Sequence, residues 1–199
     1  MNIIAHRVNA SKTLACIPNQ YGVEVDVRDF GSRLIIAHNP FTGGEDFETY
    51  LQQYHHGTLI VNIKSEQIEY RVLELLTKYH ITDYFFLDSS LPMIYQLSNQ
   101  GNKNFAVRFS EIEPLQLSLA LQNRVNWVWI DCFSKLVLTA ENAHVLKQHG
   151  FKLCLVSPEL QGRAQDICSY RRYLIDKSIE VDAVCTDVEY ASLWQPLNK

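Results

Sequence analysis

The chain has 199 residues, is 47% hydrophobic, and carries 18 Lys and Arg against 22 Asp and Glu, a formal net charge of −4. That length buries a sizeable core, so residues 1–199 read as a single domain. The composition excludes a disordered chain, and the mild acidity argues against a nucleic-acid or anionic-membrane binder.

No apolar run approaches the ~18 residues of a membrane span, so no stable membrane insertion is expected. No basic stretch leading into a long apolar one marks a signal peptide. Cys16, Cys132, Cys154, Cys168 and Cys185 are odd in number and form no CxxC pair. That argues against a zinc or redox site and fits a cytoplasmic location.

Short runs rich in Val, Ile, Phe and Trp recur along the chain, at residues 2–5, 22–26, 59–64, 84–87, 104–108, 127–130, 152–156 and 182–185. Such runs, buried on both faces, mark parallel strands. Between them lie stretches with helical spacing, at 45–55, 66–79, 114–122, 140–149 and 164–177. Ser65 and Thr139 stand where N-caps belong, Gly150 where a helix C-terminus belongs, and Gly57 reads as another helix end. Eight strand-then-helix units predict an α/β chain of the (β/α)8 (TIM-barrel) class, compact and without an inserted subdomain. An open doubly wound sheet is the alternative, disfavoured because no Gly-rich fingerprint follows a strand.

The polar residues collect at strand ends. The first strand runs into His6 and Arg7. The second carries Glu24 and Asp26 two residues apart, hence on one face. Two carboxylates in an apolar strand call for a cation or basic partner. The run at 33–37 leads to His38, and the third strand ends with Asn62 and Lys64, again on one face. In a (β/α)8 barrel all of these reach the C-terminal mouth. The set suits phosphate chemistry. Glu24 and Asp26 can hold a hard divalent cation, Arg7 and Lys64 can neutralise phosphoryl oxygens, and His6 and His38 can serve as acid and base.

The residues His6-Arg7-Val8, Ser11-Lys12-Thr13, Glu24-Val25-Asp26, His38-Asn39, Asn62-Ile63-Lys64 and Thr186-Asp187 follow a known order. The chain resembles the glycerophosphodiester phosphodiesterases, whose corresponding elements read His-Arg-Gly, Glu-Asn-Thr, Glu-x-Asp, His-Asp, Glu-x-Lys and Thr-Asp. The resemblance implies hydrolysis of a small phosphodiester by His6 and His38. It implies Mg²⁺ or Ca²⁺ held by Glu24, Asp26 and, in the place of the family's Glu, Asn62. Arg7 and Lys64 would contact the phosphate, in an enzyme of lipid metabolism with no nucleic-acid partner. Val8 replaces a glycine and restricts the backbone, and Asn62 makes the metal site one negative charge poorer. Two alternatives stay open: a catalytically inactive barrel that binds a phosphorylated ligand or metal, and a lyase, like the phospholipase-D toxins, that forms a cyclic phosphate.

Further along, Trp127 and Trp129 read as barrel filling with Asp131 on their face at the strand end. Asp88 and Arg108 read as mouth-lining residues or as a salt bridge. Asp187 reads as structural, and His55-His56 is not a metal pair because adjacent helical residues point apart.

Overall fold

The computed structural model describes residues 1–195. Ten strands and eight α-helices alternate: β1 (Asn2–Ala5), α1 (Ser11–Leu14), β2 (Gly22–Phe30), β3 (Arg33–Ile36), β4 (Glu45–Asp46), α2 (Phe47–Leu51), β5 (Leu59–Ile63), α3 (Glu69–Lys78), β6 (Tyr84–Leu87), α4 (Leu91–Asn99), β7 (Ala106–Phe109), α5 (Leu115–Ala120), β8 (Trp127–Ile130), α6 (Ala140–Gln148), β9 (Lys152–Val156), α7 (Ile167–Asp176), β10 (Ala183–Thr186) and α8 (Ala191–Trp194).

Eight of the strands pair in parallel and form a curled sheet. From β2 it runs one way through β1, β10, β9 and β8 to β7, and the other way through β5 to β6. Its two ends, β6 and β7, meet through one parallel bridge between Phe86 and Phe105. All eight runs read from the sequence as strands lie in this sheet, and each leads to a helix, β2 by way of β3 and β4.

Period-two geometry divides the core. Alternate residues of successive strands turn inward and pack as one cluster around Ile4, Ile60, Phe85, Trp127 and Trp129. The Phe85 and Trp127 rings stack at 4.6 Å, so both tryptophans are filling, as the sequence suggests. The other set, including Val25, Val61, Val128, Leu153 and Val184, forms a second cluster under the helices. Cys132, Cys154 and Cys185 are buried, and all five cysteines are free. Burial pushes the Cys132 thiol up to about 12, and none of the three buried thiols is a usable nucleophile.

Several local expectations are corrected. The helix at 66–79 starts later, at Glu69, and its cap position is Ile68, not Ser65. Thr139 does cap α6, in a reciprocal capping box with Asn142. Residues 45–55 are not one helix. Glu45 and Asp46 pair antiparallel with β3, and the helix spans only Phe47–Leu51. Gly57 therefore ends no helix. A Cβ there would stand 3.2 Å from the Gly22 nitrogen, so close backbone approach is the reason for this glycine. Gly22 is tighter still, with a Cβ 2.4 Å from the Thr58 oxygen.

Candidate active site

The inward set that fills the sheet interior ends in polar residues at the C-terminal end of each strand. Continuing the same alternation brings His6, Glu24, Asp26, Asn62, Lys64, Arg108, Asp131 and Asp187 to one mouth. Every site residue predicted from the sequence lies on a strand of this sheet or on the connection after it.

Arg7 takes a left-handed backbone conformation, φ 50°. This turn aims its amide at Glu24, where it donates to Oε2 at 2.8 Å. Val8 does not need positive φ, because the strained residue is its neighbour. It is buried, donates its amide to the Glu24 carbonyl at 2.8 Å, and accepts from the Tyr50 hydroxyl at 3.0 Å. The substitution of glycine by Val8 is thus compatible with the backbone here.

Glu24 is 2% exposed and Asp26 1%. Burial, then the neighbouring Asp26 charge, raises the Glu24 carboxyl above the ordinary carboxylate range. The amide of Asn62 donates to Glu24 Oε1 at 2.9 Å. Asn9, which the sequence reading passed over, clasps Asp26 twice. Its Nδ2 donates to Oδ2 at 2.7 Å, and its Oδ1 accepts from the Asp26 amide at 2.9 Å. Arg7 Nε stands 3.7 Å from Asp26 Oδ2, and Lys64 Nζ 3.4 Å from Asp26 Oδ1.

Two buried oxygens of the mouth accept no hydrogen bond, Asp26 Oδ1, which only the Lys64 ammonium approaches, and Asn62 Oδ1. Their residues are direct register partners on β2 and β5. Buried acceptors without a hydrogen bond are rare and costly.

His6 Nδ1 lies 3.0 Å from Asp187 Oδ1. A carboxylate only accepts, so the Nδ1 proton faces Asp187 and Nε2 is left available. Asp187 is thus a hydrogen-bonding residue, as its structural reading has it, and the group it holds is His6. Behind it, Glu159 accepts from the Asp187 amide at 3.1 Å and from the Thr186 hydroxyl at 2.5 Å. Neither partnership follows a local pattern: Asp187 is 181 residues from His6.

His38 is exposed, and its Nδ1 donates to Asn39 Oδ1 at 2.8 Å. β3 returns antiparallel to β2, and the Ala37 amide reaches the Asp26 carbonyl at 3.0 Å. That register sets Ala37 opposite Asp26 and His38 one residue further on. His38 makes no hydrogen bond or ion pair with His6 or the carboxylates.

The far half of the mouth is a chain of ion pairs. Lys64 Nζ also reaches Asp88 Oδ2 at 3.3 Å. Asp88 Oδ1 accepts from Arg108 at 2.9 Å and 2.7 Å, and Arg108 donates in turn to Asp131 Oδ2. Asp131 Oδ1 accepts from the Cys132 amide at 3.0 Å and from Gln161 at 3.1 Å. The Asp88–Arg108 salt bridge and the mouth-lining position are both present.

A cavity of about 990 Å³ opens at the opposite end of the sheet, lined by Asn2, Trp127, Lys152 and Asp182 among others. It contains none of these site residues, and active sites of parallel strand–helix rings sit at the C-terminal end.

No protein-family model and no curated protein matches the chain. Solved structures do. A glycerophosphodiester phosphodiesterase from Agrobacterium tumefaciens superposes with a TM-score of 0.70 at 13% identity, over 98% of this chain and 99% of that one. The fold is that of the glycerophosphodiester phosphodiesterases. A glycerophosphoryl diester phosphodiesterase from Parabacteroides distasonis gives a TM-score of 0.60 at 15% identity, over 99% of this chain and 88% of that one. The near-complete mutual coverage with the Agrobacterium structure accords with the absence of any inserted subdomain in the described residues. At these identities the glycerophosphodiester phosphodiesterase likeness is one of fold. The chemistry must be argued from the mouth.

Proposed function

We propose that the chain hydrolyses a small, glycerophosphodiester-like phosphodiester at this mouth, as a divalent-metal-dependent phosphodiesterase with a (β/α)8 barrel. One observation carries the reading: a carboxylate-held histidine shares the mouth with two buried oxygens that accept no hydrogen bond, Asp26 Oδ1, which only the Lys64 ammonium approaches, and Asn62 Oδ1. The shared fold supports it, since the mouth lies where active sites of such folds occur.

The residues fit a hard cation such as Mg²⁺ or Ca²⁺. Glu24, Asp26 and Asn62 offer oxygens to such a cation, and Asp26 Oδ1 and Asn62 Oδ1 accept no hydrogen bond. Such a cation, when bound, neutralises charge that builds on the phosphoryl oxygens. The rest falls to the chain's own groups. His6 Nε2 takes a proton from the attacking water, and Asp187 stabilises the imidazolium that results. His38 returns a proton to the departing alkoxide. Arg7 and Lys64 balance the phosphate charge. The new phosphorus–oxygen bond comes from water and the broken one releases an alcohol, leaving a phosphomonoester.

The test is turnover of an aryl phosphodiester and several glycerophosphodiesters with Mg²⁺, Ca²⁺ or chelator. We expect metal-dependent release of alcohol, falling at least ~100-fold in His6→Ala. Metal-independent turnover that survives in both His6→Ala and Glu24→Ala would overturn the reading. A cyclic phosphate product would assign the attack to a substrate hydroxyl. Metal binding without turnover of any substrate would favour a ligand-binding barrel.

A further inference from the structure

The hold on His6 is built in two layers, and only the nearer one touches the histidine. Two residues at the end of β10 grip it directly. The Thr186 carbonyl accepts the His6 amide at 3.0 Å, and Asp187 Oδ1 lies 3.0 Å from His6 Nδ1. Asp187 also stands at the N-cap of the short turn Val188–Tyr190, where an Asp carboxylate ordinarily accepts a backbone amide of the turn. Here its side chain makes no cap bond and is given to His6 instead.

Glu159, in the turn after β9, holds those same two residues. Its Oε1 accepts the Thr186 hydroxyl at 2.5 Å and the Asp187 amide at 3.1 Å. Its Oε2 accepts the Ser157 hydroxyl, and Ser157 Oγ accepts the indole N–H of Trp194 at 2.7 Å. Ser157, Thr186 and Trp194 are buried, so the core fixes this anchor. Three donors ask for an acceptor with two oxygens, which a carboxylate supplies. A second carboxylate beside Asp187 costs like-charge repulsion, which a neutral tie between the strand ends would avoid.

We propose that Glu159 is a positioning residue for His6: by fixing Thr186 and Asp187 it keeps the imidazole proton on Nδ1 and leaves Nε2 free of it. The ring nitrogen that carries the proton is set by the hydrogen bond the ring makes, so an imidazole without that partner shares its proton between both nitrogens. Each molecule protonated at Nε2 lacks its base. The role in turnover rests on the phosphodiesterase reading, whereas the tautomer is measurable without substrate.

The experiment is proton–nitrogen correlation NMR of the histidine rings in the full chain at alkaline pH, where a free imidazole is neutral. The His6 signals are those lost in His6→Ala. We expect the proton on Nδ1 in the parent and in Glu159→Gln, whose amide can accept from Thr186 and Asp187 and donate to Ser157. In Glu159→Ala the proton should spread over both nitrogens. If Glu159→Ala fails to fold, Glu159→Asp decides the matter: it keeps the charge but falls one methylene short, and should show the same spread. With substrate, Glu159→Ala should lower kcat at least ~10-fold and leave KM within about twofold. Glu159→Gln should restore kcat, and Glu159→Ala should cost almost nothing further in an Asp187→Ala background. The proposal is overturned if parent His6 carries its proton on Nε2, or if Glu159→Ala or Glu159→Asp leaves it on Nδ1. It is overturned too if Glu159→Ala costs as much kcat in Asp187→Ala as in the parent. The expected tautomer shift in a protein that turns over no phosphodiester would uphold the positioning role and overturn the phosphodiesterase reading alone.

Discussion

The two halves of the mouth use similar residues to opposite ends. On β6, β7 and β8, Asp88, Arg108 and Asp131 complete one another, and Asp131 is satisfied on both oxygens. On β2 and β5, Glu24 and Asp26 are at least as buried, yet Asp26 Oδ1 has only the Lys64 ammonium at 3.4 Å and Asn62 Oδ1 accepts nothing. The first half is closed by its own hydrogen bonds and braces the sheet where β6 and β7 share a single bridge. The second is left partly open, and an open set of buried oxygens is where a ligand gains most. The difference teaches that polar density alone does not mark a reactive site. Its unsatisfied part does.

This comparison can be broken at several points, and the largest effect belongs to the open half. Asp26→Ala should cut kcat at least ~10³-fold, at a cost in stability too small to explain that loss, since it also removes the Asn9 hydrogen bond and the Arg7 and Lys64 ion pairs. Steady-state kinetics beside a melting curve would check this. Arg108→Leu should do the reverse. It strands the buried Asp131 carboxylate and should cost about 2 kcal/mol in denaturant unfolding, while kcat changes less than the Asp26 variant's. If Arg108→Leu abolished turnover at unchanged stability, the paired half would be catalytic after all.

Asn62→Asp should sharpen the contrast. A third carboxylate beside Glu24 and Asp26 should tighten Mg²⁺ binding roughly tenfold and lower the melting temperature of the metal-free protein, by like-charge repulsion. Titration calorimetry and melting in chelator report the two halves of that expectation.

The smallest effect concerns Glu111, in the loop after β7. Burial pushes the Glu111 carboxyl up, but hydrogen bonds from the backbone and hydroxyl of Ser134 and the backbone of Lys135 outweigh it, bringing the carboxyl down to about 2. A depressed carboxyl stabilises the folded state above its unfolded value, near 4.5, and loses that contribution as pH falls toward about 2. Glu111→Gln should therefore lower the melting temperature by a few degrees at pH 7, with the gap to the parent narrowing between about pH 4.5 and pH 2.

Much of this organisation was legible in the chain. Strands buried on both faces announce themselves as short apolar runs, and Glu24 with Asp26 announce a shared face by their spacing. What escaped is what depends on distant partners. Asn9 reads as a loop residue until it clasps Asp26, and Asp187 as a strand end until it meets His6. Glu45 looks helical by local pattern, but β-pairing with Ile36 takes it into β4, where its carboxylate accepts the Ser11 amide at 2.7 Å.

The most direct measurement is a calorimetric titration of the metal-free protein with Mg²⁺ and Ca²⁺, repeated on Asp26→Ala and Arg108→Leu. Saturable binding of one cation in the parent and in Arg108→Leu, absent in Asp26→Ala, is the result this account predicts. Binding that survives Asp26→Ala, or no binding of either cation to the parent at millimolar concentration, would contradict it.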